Sequence, residues 1–284
     1  KKALLLAPTF AEYEQALVSV GCEIARYYLE ETADFCVRED YLQILQKEKP
    51  DIIFSKGGFV SFPVVVGGFL NHRKIFMHES DLTPGLANKM SLPFVSKFFT
   101  TFIDTVKYVR TPQKVCYIGP VLSDRLKNGD KNKALQMCNF NAEKPIVMFV
   151  GGSLGAQSLN KAVLQNIDAL LQKFQIIHIC GKGQKTDLER QGYAQFEFVD
   201  KEFKDLLAAT DIVVTRSGSN AIFEFWSLNI PMLLVPLPSN ASRGEQTSNA
   251  KNFQSRALPK LLQKPQLLPR QDHQEPNSFF TLLN

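Results

Sequence analysis

The sequence has 284 residues, 44% hydrophobic and 21% charged, with a formal net charge of +5. That length accommodates two domains with sizeable cores, and apolar runs such as Phe62–Leu70 are too short to span a membrane. Five scattered cysteines (Cys22, Cys36, Cys116, Cys138, Cys180), without Cys-x-x-Cys spacing, argue against zinc or a disulfide framework. They favour a reducing, cytoplasmic setting, and no signal peptide is visible. The modest positive charge fits attraction to an anionic membrane face or a diphosphate, and equally a solvated surface.

In chain order, Lys2–Ala7 reads as a strand, and Phe10, Tyr13, Ala16 and Leu17 as one face of the following helix. Cys22–Tyr28 is a second candidate strand. Tyr41, Leu42, Ile44 and Leu45 mark a helical face, and Asp51–Ser55 a strand ending at Lys56–Gly57–Gly58. A helix over Pro63–Leu70 and a strand at Lys74–Met77 lead to a loop starting at His78, with further strands near Lys97–Phe102 and Lys114–Ile118. The polar run Lys127–Lys133 places a linker at 127–144, so the first domain is expected at 1–126. A second domain is expected at 145–256. It begins with strand Ile146–Val150, the turn Gly151–Ala156 and a helical face from Leu159 to Leu171. Strands follow at Gln195–Val199, Asp211–Val214 and Met232–Val235. Between the last two, Ile222–Leu228 is helical until Asn229 and Pro231 break it. Ser242–Ala250 opens a polar helix, and 257–284 is a Pro/Gln-rich tail. Alternation at this pace implies parallel βαβ units.

Two of the strand-to-helix turns are rich in Gly and Ser. Gly151–Gly152–Ser153–Leu154–Gly155 and Thr215–Arg216–Ser217–Gly218–Ser219–Asn220 each present backbone N–H groups at a helix start, where an anion binds favourably. Glu224, about one turn into its helix, is placed to accept hydrogen bonds from sugar hydroxyls. Together these features suit a sugar nucleotide at the ends of parallel strands. Each turn taken alone also reads as an ordinary serine-capped connection.

Five ordered stretches carry a more specific signal: Lys56–Ser61, His78–Asn88, Gly151–Ala156, Arg216–Glu224 with Val235–Pro238, and Glu245–Ala250. Over roughly residues 48–256 they resemble the MurG family, in its Gram-positive form. The resemblance implies an α/β fold of two Rossmann-like domains of the GT-B type facing a central cleft, with donor bound by the C-terminal half. It implies inverting transfer of N-acetylglucosamine from UDP-N-acetylglucosamine to the undecaprenyl-linked muramoyl-pentapeptide, lipid I, at the cytoplasmic face of the membrane. By resemblance, Ser153 contacts donor phosphate, Glu224 the ribose, Gln246 the sugar and Val199 the uracil through its backbone. Gly152, Gly155, Ser217, Gly218, Ser219, Asn220 and Asn249 complete the donor side, and Gly57 and Gly58 belong to the acceptor side. His78, Glu79 and Asp81 are the motif residues left for catalysis, whereas His72 and His178 are expected as bystanders. No cofactor or metal is expected, since no Asp-x-Asp pair is present, and no nucleic-acid partner is implied. An anionic membrane surface is the expected partner of Phe59, Phe62, Phe69 and Leu92–Pro93–Phe94, although core packing explains these equally well.

The sequence departs from the family at Ala7–Pro8–Thr9–Phe10, where a glycine-rich loop with a histidine is usual, and in its tail. Both ends are therefore expected to be shortened. This leaves two rival readings, a homologue that binds UDP-sugar or a cell-wall partner with weak turnover, and a transferase for another lipid-linked acceptor.

Overall fold

The strands of the computed structural model form two all-parallel sheets. Residues 2–7, 14, 17–33, 36–38, 40–58, 60–141, 143–152, 156–237 and 243–262 are described. The chain divides into two units, Lys1–Val121 and Leu122–Asn284. In the first, β1 (Lys2–Ala7), β2 (Glu23–Tyr28), β3 (Ile52–Ser55), β4 (Lys74–Glu79), β5 (Lys97–Thr100) and β6 (Val115–Tyr117) lie in the order β2-β1-β3-β4-β5-β6. Helices α1 (Tyr41–Glu48), α2 (Ser61–Leu70) and α3 (Leu86–Ser91) accompany them. Leu45, Val65, Ile75, Met77 and Phe98 form the centre of a core between sheet and helices, and none of them is measurably exposed.

In the second unit, β7 (Ile146–Val150), β8 (Gln175–Ile179), β9 (Tyr193–Phe196), β10 (Ile212–Thr215) and β11 (Met232–Leu234) take the order β11-β10-β7-β8-β9. The helices are α4 (Lys131–Cys138), α5 (Gln157–Gln165), α6 (Ile167–Lys173), α7 (Phe203–Ala209), α8 (Ser219–Ser227) and α9 (Glu245–Leu262). Successive residues of β7 enter different cores: Ile146 and Met148 pack in one cluster, Val147 and Phe149 in another. A strand covered on both faces reads as a continuous apolar run, as Ile146–Val150 does. Burying each such side chain is worth about 1.5–3 kcal/mol.

Several elements depart from the sequence-based expectations. The 127–144 stretch contains α4, whose Ala134 and Cys138 bury beside Leu206 and Leu207. Its N-cap is Asp130, whose carboxylate accepts from the Asn132 and Lys133 backbone N–H groups at 2.9 and 3.4 Å. The 159–171 face is divided between α5 and α6 at Asn166, whose side-chain amide donates to the Ala162 carbonyl at 2.9 Å. β4 continues through His78 and Glu79, so both belong to a buried strand end rather than to a loop. β9 stops at Phe196, leaving Phe198 and Val199 in the segment that follows. The expected helix face at Phe10, Tyr13 and Ala16 and the tail beyond Leu262 lie outside the described residues. Among the described residues, no helix is long and apolar enough to cross a membrane.

Candidate functional site

In the second unit the chain runs β7 to β8 to β9 in one direction and then returns to β10 on the other side of β7. The loops after β7 and β10 therefore diverge, which opens a crevice at the C-terminal ends of the strands. A cavity of about 830 Å³ lies there. Gly152, Arg216, Gly218, Glu224 and Gln246 line its polar side, and Ile179, Val199, Phe203 and Phe225 its apolar side. Gly152 adopts φ +88°, and nothing lies within 4 Å of where a Cβ would stand, so its backbone borders open space. Gly218 is the N-cap of α8, so the first N–H groups of this nine-residue helix begin at the cavity wall without intrahelical acceptors.

Arg216 ties three loops together. Its guanidinium donates to Ser158 Oγ at 2.7 Å and to the Val235 and Pro236 carbonyls at 3.3 Å each. Burial pushes its pKa down, and its Nε has no hydrogen-bond partner among the described residues. Gln246 Oε1 accepts from the Leu237 N–H at 3.1 Å, fixing α9 to the chain after β11. Glu224 is half-buried, and burial raises its pKa above the usual carboxylate range. The result is a pocket with a fixed cation, a helix start and a carboxylate unpaired among the described residues on one side and an apolar slot on the other. Such a pocket suits a nucleotide diphosphate with its base in the slot.

Of the residues singled out on the donor side, Gly152, Val199, Gly218, Glu224 and Gln246 meet at this cavity. Ser217, Ser219 and Asn249 are buried behind it, where the Asn249 amide donates to the Ser217 carbonyl at 3.2 Å. Asn220 is exposed on α8 and is not part of the lining. Ser153 and Gly155 lie outside the described residues. Phe198, expected beside Val199 at the base, also lines the cavity, whereas Ser158, Ile179 and Phe203 join the site only through the fold.

In the first unit, His78, Glu79 and Asp81 lie at and just beyond the end of β4. Glu79 is 6% exposed and holds the following turn together. Its Oε1 accepts from the Asp81 N–H at 3.0 Å, and its Oε2 accepts from the Gly85 N–H at 3.0 Å and from Asn88 Nδ2 at 2.8 Å. His78 is 4% exposed, with Nδ1 2.6 Å from Lys56 Nζ and Nε2 3.2 Å from Thr101 Oγ1. Burial, and then the Lys56 charge, lower its pKa to about 4. The imidazole is thus neutral and both ring nitrogens are occupied, so it is poorly placed to take a proton from an incoming hydroxyl.

Beside it lie Gly57 and Gly58, the two glycines expected on the acceptor side. Gly57 and Gly58 both take positive φ, +87° and +88°, just ahead of α2. A Cβ at Gly57 would stand 2.6 Å from the Asn88 side-chain oxygen Oδ1, whereas one at Gly58 would meet nothing within 4 Å among the described residues. A second open backbone turn at a strand end therefore exists in this unit, although no glycine follows β1. Among the described residues, no three His, Cys, Asp or Glu side chains group as a metal site. Of the apolar candidates, Phe94 packs edge-on against Phe62 and Phe69 at centroid distances of 6.3 and 5.3 Å, and Leu92 is buried. Phe69, Leu70, Leu86 and Met90 are exposed on α2 and α3, and Phe59 lies outside the described residues.

Residues 146–271 match the glycosyltransferase family 28 C-terminal domain, and residues 27–100 match its N-terminal domain. A Staphylococcus carnosus protein named UDP-N-acetylglucosamine--N-acetylmuramyl-(pentapeptide) pyrophosphoryl-undecaprenol N-acetylglucosamine transferase is 49% identical over 228 residues, covering 80% of this chain and 63% of the relative. A Geobacillus kaustophilus protein of the same name is 48% identical over 227 residues, covering 79% of this chain and 63% of the relative. The chain thus spans less than two thirds of the length of these relatives. In structure it is similar to Acinetobacter baumannii MurG, with a TM-score of 0.64, 19% identity and coverage of 94% of this chain and 92% of the other. It is also similar to a Neisseria meningitidis UDP-GlcNAc 2-epimerase bound to UDP-GlcNAc, with a TM-score of 0.62, 12% identity and coverage of 94% and 93%. At such identities the likeness shows the fold, two parallel-sheet α/β domains of the GT-B kind. A transferase and an epimerase share it, so fold alone does not choose the chemistry.

Proposed function

The chain belongs to the MurG family of glycosyltransferases, and from that premise we propose that it transfers N-acetylglucosamine from UDP to the undecaprenyl-linked muramoyl-pentapeptide, with inversion. The observation that carries this reading is the meeting of Gly152, Arg216, Gly218, Glu224 and Gln246 on one cavity of about 830 Å³. The relatives' shared name supplies the sugar and the acceptor.

In the proposed reaction the acceptor hydroxyl attacks the anomeric carbon, the bond to UDP breaks, and the hydroxyl proton passes to a base. Negative charge then grows on the departing diphosphate. The α8 N–H groups and the Arg216 guanidinium are placed to stabilise it, as preorganised dipoles do for a leaving group. Charge stabilisation of this kind needs no metal, so turnover is expected to be unchanged by EDTA. Glu224 accepts the ribose hydroxyls, and the slot formed by Ile179, Val199, Phe203 and Phe225 takes the base.

Incubation with UDP-N-acetylglucosamine and lipid I, with UDP release and glycosylated lipid read against an enzyme-free blank, tests the reading. Formation of the disaccharide-linked lipid is the expected result, and absence of both products overturns it. We also place the chain at the cytoplasmic face of the membrane, with the exposed Phe69, Leu70, Leu86 and Met90 against the lipid. Co-sedimentation with anionic vesicles, lost in Leu70→Asp/Leu86→Asp, is the outcome that supports it.

A further inference from the structure

In the parallel register of β3 and β4, Ser55 pairs with Met77, so the next residues, Lys56 and His78, emerge side by side. Lys56 Nζ lies 2.6 Å from His78 Nδ1, and this is the only hydrogen bond its ammonium makes among the described residues. It forms no ion pair there. Burial lowers the Lys56 pKa from its ordinary value, and the nearby Glu79 and Asp81 carboxylates counter that shift from a distance. The Glu79 oxygens are already taken by the Asp81 and Gly85 N–H groups and by Asn88.

A half-buried ammonium without a carboxylate partner is an unusual and costly arrangement. Here it is backed by a neutral acceptor. The tautomer follows from the lysine contact: an ammonium can only donate, so Nδ1 accepts from Lys56, the ring proton sits on Nε2, and Nε2–H donates to Thr101 Oγ1 at 3.2 Å. A protonated ring would set two cations against each other at this distance, so the pair carries one positive charge and carries it on lysine. Among the described residues, two of the three ammonium hydrogens remain available beside the Gly57–Gly58 turn, and a Cβ at Gly58 would meet nothing within 4 Å.

We infer that His78 is a positioning residue: its Nδ1 accepts a hydrogen bond from the Lys56 ammonium and aims that charge at an anionic phosphate group bound over the Gly57–Gly58 turn. The inference rests on the reading above in taking the anion as the acceptor's diphosphate. It replaces a histidine base with a lysine electrostatic contact that the histidine orients.

Two substitutions of His78 separate the roles of its nitrogens. Asn carries its carbonyl oxygen near the Nδ1 position, whereas Gln reaches only toward the Nε2 position. Inorganic pyrophosphate is titrated calorimetrically into the whole chain saturated with UDP, so that the cavity of the second unit is filled. The unaltered chain is expected to bind it. Lys56→Met and His78→Gln are expected to weaken binding by about tenfold or more, as for loss of one charge-assisted hydrogen bond, with His78→Asn staying near the parent. Thermal melts and UDP affinity confirm that each variant is folded, and Lys56→Met tests the proposal even if the His78 variants unfold. Absence of pyrophosphate binding by the parent, unchanged binding by Lys56→Met, or equal losses in His78→Asn and His78→Gln would each overturn the inference. Missing lipid I turnover alongside the expected pyrophosphate pattern removes the proposed reaction and leaves this pair's role standing. The opposite combination removes the pair's role and leaves the reaction.

Discussion

Glu224 shows at the scale of one residue how a binding site opposes stability. Its carboxylate lines the cavity and has no hydrogen bond or ion pair among the described residues. Burial holds its pKa above the usual carboxylate value, so the folded chain binds the proton more readily than the unfolded chain. Its contribution to stability is therefore full below the ordinary carboxylate pKa and is lost as pH rises through the raised one. Above that range burial of this carboxylate works against the fold. Glu224→Gln should raise the melting temperature of the UDP-free chain at pH 7, with the difference shrinking toward pH 4. The same change should weaken UDP binding by about ten- to a hundredfold, the range for a hydrogen bond to a charged group. Melting curves at the two pH values and UDP calorimetry read both effects. Unchanged UDP affinity would mean that this carboxylate does not touch the ribose.

At the scale of elements, the approach of the chain before α4 to α7 depends on one glycine. A Cβ at Gly129 would stand 1.9 Å from the Lys204 carbonyl oxygen, a backbone atom that cannot swing away. The next residue reinforces the junction, since the Asp130 N–H donates to Asp205 Oδ1 at 2.7 Å while its own carboxylate caps α4. Gly129→Ala is expected to cost about 3 kcal/mol or more, beyond the usual overpacking range because backbone must shift. Asp130→Ala should cost about 1 kcal/mol, as for loss of an N-cap. Denaturant melts rank the two, and the reverse ranking would show that the junction can rearrange.

This junction also marks how far the sequence could be read. Buried strands such as Ile146–Val150 were legible because both faces are covered, which leaves an uninterrupted apolar run. The glycine turns were legible because helix starts after strands have their own residue chemistry. The polar run Lys127–Lys133 read as a linker because charge hides a helix held by a cap and by two buried residues, Ala134 and Cys138. The partners of functional side chains were not legible. Lys56 and His78 are 22 residues apart, Arg216 and Ser158 58 apart, and only the strand register or loop convergence joins them. His178, expected as a bystander to the chemistry, lies at the centre of a buried polar network whose partners the sequence does not show. Strand periodicity says which face a residue takes and nothing about what waits there.

Among the described residues, each unit encloses one neutral histidine. His78 in the first unit is 4% exposed, and His178 in the second is 1% exposed. The Tyr193 hydroxyl donates to His178 Nδ1 at 2.8 Å, and Nε2–H donates to Asn160 Oδ1 at 2.9 Å. The Asn160 amide continues to the Cys180 carbonyl and to Gln184 Oε1 at 2.7 and 2.8 Å. Burial lowers the pKa of each histidine from 6.5 to about 4, with the Lys56 charge adding to the effect at His78. As pH falls the unfolded chain takes up these protons first, so stability is full above 6.5 and is lost between 6.5 and 4. The loss is on the order of 3 kcal/mol per histidine, a large share of the stability of an ordinary domain. The upper part of this window lies above the range where carboxylates titrate, which separates the histidine effect from theirs. Melting temperature should therefore fall steeply from pH 6.5 to 5, with His78→Asn and His178→Gln each making the fall shallower. A melting temperature that stays level from pH 6.5 to 5 would mean that the two imidazoles are protonated in the native state. The Lys56 ammonium would then face a second cation, and the single-charge logic of that pair would fail with it.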